Sequence, residues 1–188
     1  MDSRITLYAN QTNLVYDKLM NDGQVFNKEE YVRRKYQESA GVFISAYSWF
    51  VKEARNYVTP PSGAEYCYWA FTQVMNLDTS GGGHVMKLEV PRDEVILFDM
   101  FDWTQILQMH YLAESDEEAT LWEAEIARQG ATEFQIMTTS FYPLLKQKMH
   151  ESWARLFRHH NDLVAGDESG VKAVQAGLWT IKKEWLVG

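Results

Sequence analysis

The amino-acid sequence predicts an α+β fold. It reads as one domain over residues 1–188, with a small mixed or antiparallel sheet of four to five strands and about five surrounding helices. Three observations carry this expectation. Met86, Leu88 and Val90 alternate with Lys87 and Glu89, the period of a strand with one buried face. Val174, Ala176 and Leu178 alternate with Gln175, Gly177 and Trp179 in the same way. Val42, Phe43, Ala46, Tyr47, Phe50, Val51 and Ala54 instead recur at helical spacing and form one apolar stripe.

The elements follow in order. Arg4 to Tyr8 reads as a short opening strand. Thr12 or Asn13 caps a helix through about Asn21, with Gly23 as its stop. Glu29 to Gln37 is charged and reads as exposed helix or loop. The helix carrying the 42–54 stripe must end before Pro60-Pro61, and Ser62-Gly63 completes a turn. Glu65 to Thr72 is an aromatic-rich strand, and Ser80-Gly81-Gly82-Gly83 is a flexible connection. His84 to Val90 and Glu94 to Phe98 are strands separated by Pro91-Arg92-Asp93, a spacing compatible with a hairpin. Asp99 or Asp102 caps the next helix. Ser115-Asp116-Glu117-Glu118 matches the S-x-x-E capping box of a helix that stops at Gly130. Ser140 caps another helix with Pro143 in its first turn. His159 to Asp162 and Gly166 to Gly170 read as loop, and Lys172 to Ile181 as the last strand.

Composition sets the outer bounds. There are 26 acidic and 18 basic residues, for a net charge of -8. Sequence-independent binding of nucleic acid is disfavoured, because a phosphate backbone needs a cationic contact face. The charge is not spread evenly: Glu114, Asp116, Glu117, Glu118, Glu123 and Glu125 have no base among them. Lys146, Lys148, Arg155 and Arg158 crowd the segment from 141 to 160, and pairing of the two segments is the plainest account. A lone cysteine, Cys67, forms no internal disulfide and sits in an aromatic strand, as a buried thiol does. No apolar run has the length of a membrane helix, and Met1-Asp2-Ser3-Arg4 does not open a signal peptide. The expectation is a soluble cytoplasmic protein.

Catalytic motifs are absent. The histidines His84, His110, His150, His159 and His160 lack zinc-ligand spacing, so no metal is expected. Gly81-Gly82-Gly83 lacks the Lys and Ser/Thr of a phosphate loop, and there is no G-x-S-x-G elbow. Seven tryptophans, ten tyrosines and nine phenylalanines are the unusual feature. Phe43, Phe50, Trp153 and Phe157 fall on helical stripes and belong to the core. Tyr8, Tyr47, Trp69 and Trp179 instead accompany polar strand residues: Gln11 at the end of the first strand, Asp99 and Asp102 after a buried one, and Gln175 in the last. Stacking rings beside amides and carboxylates suit a nucleotide or nicotinamide-like ligand.

The order of these pieces resembles the bacterial family named domain of unknown function 3841. The resemblance rests on Leu7-Tyr8 through Gln11, Ala46-Tyr47-Ser48-Trp49, Pro60-Pro61-Ser62-Gly63 and Tyr68-Trp69-Ala70. It continues through Leu88-Glu89-Val90-Pro91, Asp99, Phe101-Asp102-Trp103, Glu151-Ser152-Trp153 and Val174-Gln175-Ala176. It covers nearly the whole chain. The family carries an aromatic-Glu pair after the final Gln-Ala, where this chain has Trp179-Thr180. The insert Thr132 to Ser140 is also outside the pattern. At the level of fold, a strand ending in polar residues followed by a Gly-stopped helix is similar to the opening of small ADP-ribosyltransferase-like domains. Those domains bind NAD in the cleft of a split sheet. The similarity implies that Gln11 touches the adenosine or the nicotinamide amide, that Tyr47 or Trp69 stacks, and that Gln175 takes the late catalytic position. A Gln there orients a ribose hydroxyl but does not act as a base.

Two functions follow as expectations. One is an NAD-binding, ADP-ribosyltransferase-like enzyme acting through Tyr8, Gln11, Tyr47, Trp69, Asp99, Asp102 and Gln175. The other is a non-catalytic module for a small molecule, nucleotide or protein partner, favoured by the missing late acid.

Overall fold

The computed structural model describes residues 3–36 and 40–187. Gln37 and the side chain of Val42, both placed above from sequence, lie outside the described residues. The main sheet is antiparallel throughout. It orders β4 (His84–Pro91), β1 (Arg4–Gln11), β3 (Tyr68–Phe71), β6 (Val174–Leu178) and β5 (Ile96–Asp99). A separate two-stranded ribbon pairs β2 (Gln24–Phe26) with β7 (Thr180–Lys182).

Strand alternation gives this sheet two apolar faces. Ile5, Leu7, Ala9, Met86, Leu88, Val90, Val174, Ala176 and Leu178 pack on one side with Leu19 of α1 (Asn13–Asp22) and Leu163 of α8 (His160–Ala165). Ile96, Phe98 and Trp69 face the other side. There they meet Tyr47 and Phe50 of α3 (Ala40–Ala54), Trp103 and Ile106 of α4 (Met100–Leu107), and Met149 and Trp153 of α7 (Pro143–Trp153). Each large side chain buried in this way contributes about 1.5–3 kcal/mol. The alternation read for Val174 to Trp179 is therefore what divides β6 between two cores.

The helix signals act locally. Thr12 accepts from the Val15 amide, and Gly23 closes α1 at φ 80°. Ser115 accepts from the Glu118 amide at the start of α5 (Asp116–Arg128). The reciprocal arm of that capping box is not made, because Glu118 accepts from the Glu114 amide instead. A complete capping box, Thr132 with Gln135, opens α6 (Glu133–Thr138), so the insert from Thr132 to Ser140 is a helix that buries Ile136 and Met137. Pro143 holds the first turn of α7, but its cap is Tyr142 and not Ser140. The segment Glu29–Tyr36 is helix α2.

Two further expectations are corrected. β4 and β5 do not form a hairpin, since they lie at opposite edges of the sheet. The link through Pro91, Arg92, Asp93 and Glu94 has no Gly or Asn for a tight primed turn. Arg92 is drawn off instead, donating from Nη1 to the carbonyls of Leu163 and Val164 at 3.0 Å. β5 is buried on both faces and belongs between two layers, unlike half-solvated β4. His160 is not in a loop but opens α8, where its buried Nδ1 accepts from the Leu97 amide at 3.1 Å. Burial pushes the His160 pKa down, so it serves as a neutral acceptor.

The acidic and basic segments do pair. Glu125 bonds Lys148 at 2.5 Å, and Arg155 donates to both oxygens of Glu118 at 2.8 and 2.9 Å. Glu118 also accepts from the Tyr111 hydroxyl at 2.7 Å. The Arg155 hydrogen bonds, then the Glu114 amide, pull the Glu118 carboxyl down to about 2. A depressed carboxyl contributes stability above its usual value of 4.5 and loses it as pH falls towards about 2. Glu118→Gln should therefore cost about 1 kcal/mol at pH 7, a figure reduced for solvent screening. Chemical denaturation of both proteins should show the gap narrowing from pH 4.5 downwards; a gap independent of pH would count against the assignment.

Candidate functional site

The strand register aligns five residues in one row across the main sheet: Lys87, Tyr8, Phe71, Gln175 and Phe98. Directly opposed residues point to the same face. Burial falls steadily along this row. Phe98 is 0% exposed and Gln175 5% exposed, Phe71 and Tyr8 are half-buried, and Lys87 is exposed. The helical layer thus covers β5 and β6 and ends over β3. Neither Tyr8 nor Phe71 belongs to either apolar cluster, so two aromatic rings floor the open part of the row.

Gln175 sits at the rim of that layer. Its side-chain amide makes no hydrogen bond to the described residues, and although the residue is buried as a whole, its amide atoms are not fully closed off from solvent. The sheet also changes continuity here. β1 and β4 pair through all eight residues from Arg4 to Gln11, whereas β1 and β3 join at Tyr8 and Phe71 alone. Asn10, next along β1 on the open face, donates to the carbonyls of Asp78 and Gly82 at 2.8 and 3.0 Å. Gly83 of that loop has φ 108°, and a Cβ there would stand 2.5 Å from the Gln11 carbonyl oxygen. Only glycine lets the loop lie this close to β1.

The other predicted site residues divide. Tyr47 and Trp69 come together: the Trp69 Nε1 donates to the Tyr47 hydroxyl at 3.3 Å, with ring centroids 5.4 Å apart. Both rings also touch Trp103, so they belong to the aromatic core that abuts Gln175 through Phe98. Gln11 is not brought to this face. It alternates with Ile5, Leu7 and Ala9 on the opposite side, and its cross-strand neighbour His84 stacks on Tyr16 with centroids 4.0 Å apart. Asp99, 8% exposed, is the cap of α4. Its Oδ1 accepts from the Phe101 amide and its Oδ2 from the Lys172 amide, both at 2.8 Å. Asp102 pairs with Arg158 at 3.0 Å; burial pushes its carboxyl upward, and Arg158 opposes the shift. Trp179 is buried, with Nε1 donating to the Val58 carbonyl at 2.8 Å.

Phe71, Lys87 and the carboxylate of Glu89 share the open face but were not singled out from sequence. Glu89 lies opposite Thr6, whose hydroxyl donates to its Oε1 at 2.6 Å. Alternation in β4 marks Lys87 and Glu89 as outward, but only the register of β1 with β3 shows what they stand beside. Two hollows lie away from the row, one of about 660 Å³ beside Tyr57, Pro60, Glu94 and Trp179, and one of about 320 Å³ between α5 and α7. Among the described residues, no three His, Cys, Asp or Glu side chains converge as a metal ion would require. No described helix is long and apolar enough to cross a membrane. Burial raises the Cys67 thiol well above its usual pKa, away from the nucleophilic thiolate.

No curated protein and no solved structure matches the chain. A family model does match, from residue 6 to residue 187, and its span takes in every strand and helix described above except the first two residues of β1. The chain belongs to the family described as domain of unknown function (DUF3841).

Proposed function

We propose that this chain binds a small ligand with a planar, carboxamide-bearing ring of the NAD type, laid over Tyr8 and Phe71 against the side chain of Gln175. The observation that carries this reading is the Gln175 amide, which has no hydrogen-bond partner among the described residues and keeps its polar end open at the edge of the helical layer. An amide offers both a donor and an acceptor, which is the complement of a carboxamide. The two half-buried rings beside it offer a stacking floor. The single pair joining β1 to β3 supports a ligand lodged where the sheet is least continuous.

Gln175 does not act as an acid or a base at neutral pH, so its part is to hold and orient the ligand. ADP-ribosyltransferase-like turnover would need a carboxylate, and Glu89 supplies one on the same face. A module that binds without turnover is the second reading. It is favoured by Thr180, which is buried and donates its hydroxyl to the Val25 carbonyl at 2.8 Å where the family pattern has an acid.

Thermal unfolding with millimolar NAD tests the binding, and mass spectrometry for released nicotinamide separates the two readings. NAD should raise the melting temperature of the wild type. Gln175→Leu should abolish that rise while leaving the stability of the ligand-free protein nearly unchanged, because the amide makes no hydrogen bond to the rest of the fold. A wild type indifferent to NAD, or a Gln175→Leu protein that is strongly destabilised, would overturn the proposal.

A further inference from the structure

Lys87 ends the row that Gln175 anchors. Its side chain is exposed, and its ammonium has no ion pair or hydrogen bond among the described residues. Glu89, on the same face of β4, is engaged by the Thr6 hydroxyl and forms no ion pair with Lys87. The row therefore changes character from one end to the other. It is apolar at Phe98, amide at Gln175, aromatic at Phe71 and Tyr8, and cationic at Lys87.

Gln175 and Lys87 stand three strands apart, which is about 14 Å between backbones at the ordinary strand spacing. Both side chains rise from one face, and the long, exposed Lys87 chain can lean inward over Tyr8. A span of this order suits a mononucleotide, with its base at Gln175, its sugar over the two rings and its 5′-phosphate at Lys87. We infer that Lys87 is the anion-binding end of the ligand site, and that the ligand class is a nucleotide carrying a phosphate, not a free ring or a nucleoside. This inference rests on the ring-binding reading of Gln175. It adds a charge requirement that the reading itself does not contain.

Nicotinamide riboside and nicotinamide mononucleotide differ by one phosphate and serve as the probes. Calorimetric titration of the wild type should show the mononucleotide binding about tenfold more tightly than the riboside, with the ratio shrinking as salt is raised. Lys87→Met should bring the mononucleotide down to the affinity of the riboside and leave the riboside unchanged. Lys87→Arg should restore most of the preference. Gln175→Leu should weaken both probes alike. If Lys87→Met leaves the preference intact, the anion site is wrong while the ring site stands. If Gln175→Leu leaves both affinities intact, or the wild type binds neither probe, the ring site itself fails and takes this inference with it.

Discussion

Replacing Trp103 with alanine is expected to lower folding stability by about 4 kcal/mol, the upper range for emptying a buried aromatic site. Trp103 is 2% exposed, and its ring lies within 5.1 Å of Phe50 and Trp69, 5.9 Å of Tyr47 and 6.2 Å of Phe98, centroid to centroid. No neighbour fills that volume without leaving its own packing, so the cavity persists and the cost is at the high end. Urea denaturation should show a lower midpoint at an unchanged slope. Trp103→Phe keeps a ring in place and should cost markedly less. A loss below about 1 kcal/mol for the alanine variant would mean that these rings are not the centre of the core. The result bears on function too, since Trp103 supports Phe98, the immediate neighbour of Gln175.

The second large effect is expected at Asp99. Asp99→Ala removes the acceptor for the Phe101 amide that caps α4 and the acceptor for the Lys172 amide leading into β6. One carboxylate thus ties the end of β5, the start of α4 and the approach to β6. Loss of a cap costs about 1 kcal/mol, and charge-assisted bonds to a nearly buried carboxylate are stronger than neutral ones. About 3 kcal/mol is expected in total, measured by chemical denaturation. Asp99→Asn retains one acceptor and should recover part of it. If Asp99→Ala instead folds with near wild-type stability and loses NAD binding, Asp99 belongs to the ligand site and not to the framework.

The candidate site was legible in sequence only residue by residue. Gln175 and Tyr8 were marked by polar or aromatic character on a strand, and both lie in the row. Gln11 carried the same mark, yet its odd position in β1 sends it to the other face with Ile5, Leu7 and Ala9. In sequence, Tyr47 and Trp69 accompany polar residues, a context that suits a ligand site as well as a core. The packed rings show that they share one cluster with Phe50 and Trp103. Phe71 looked like any aromatic in an aromatic strand, and its standing beside Tyr8 depends on a long-range register. The mistaken hairpin of β4 and β5 has the same origin: adjacency in sequence does not set adjacency in a sheet when the turn chemistry is missing.

What the sequence determined alone was local. Hydrophobic period fixed β4, β6 and the long helix α3, because a strand buries every second residue and a helix every third or fourth. Caps and stops at Thr12, Gly23 and Ser115 act within four residues and needed no partner. The separation of acidic from basic segments foretold the Glu118–Arg155 and Glu125–Lys148 contacts. Tertiary structure decided the strand order β4-β1-β3-β6-β5, which face is covered, and where the cover ends. Those depend on how two apolar layers share one sheet, a property of volumes and not of neighbouring letters. The expectation of a ligand came from a few aromatics beside polar strand residues, not from the net charge. The row from Phe98 to Lys87, with Gln175 unpartnered at the edge of the helical layer, exists only once the strands are paired.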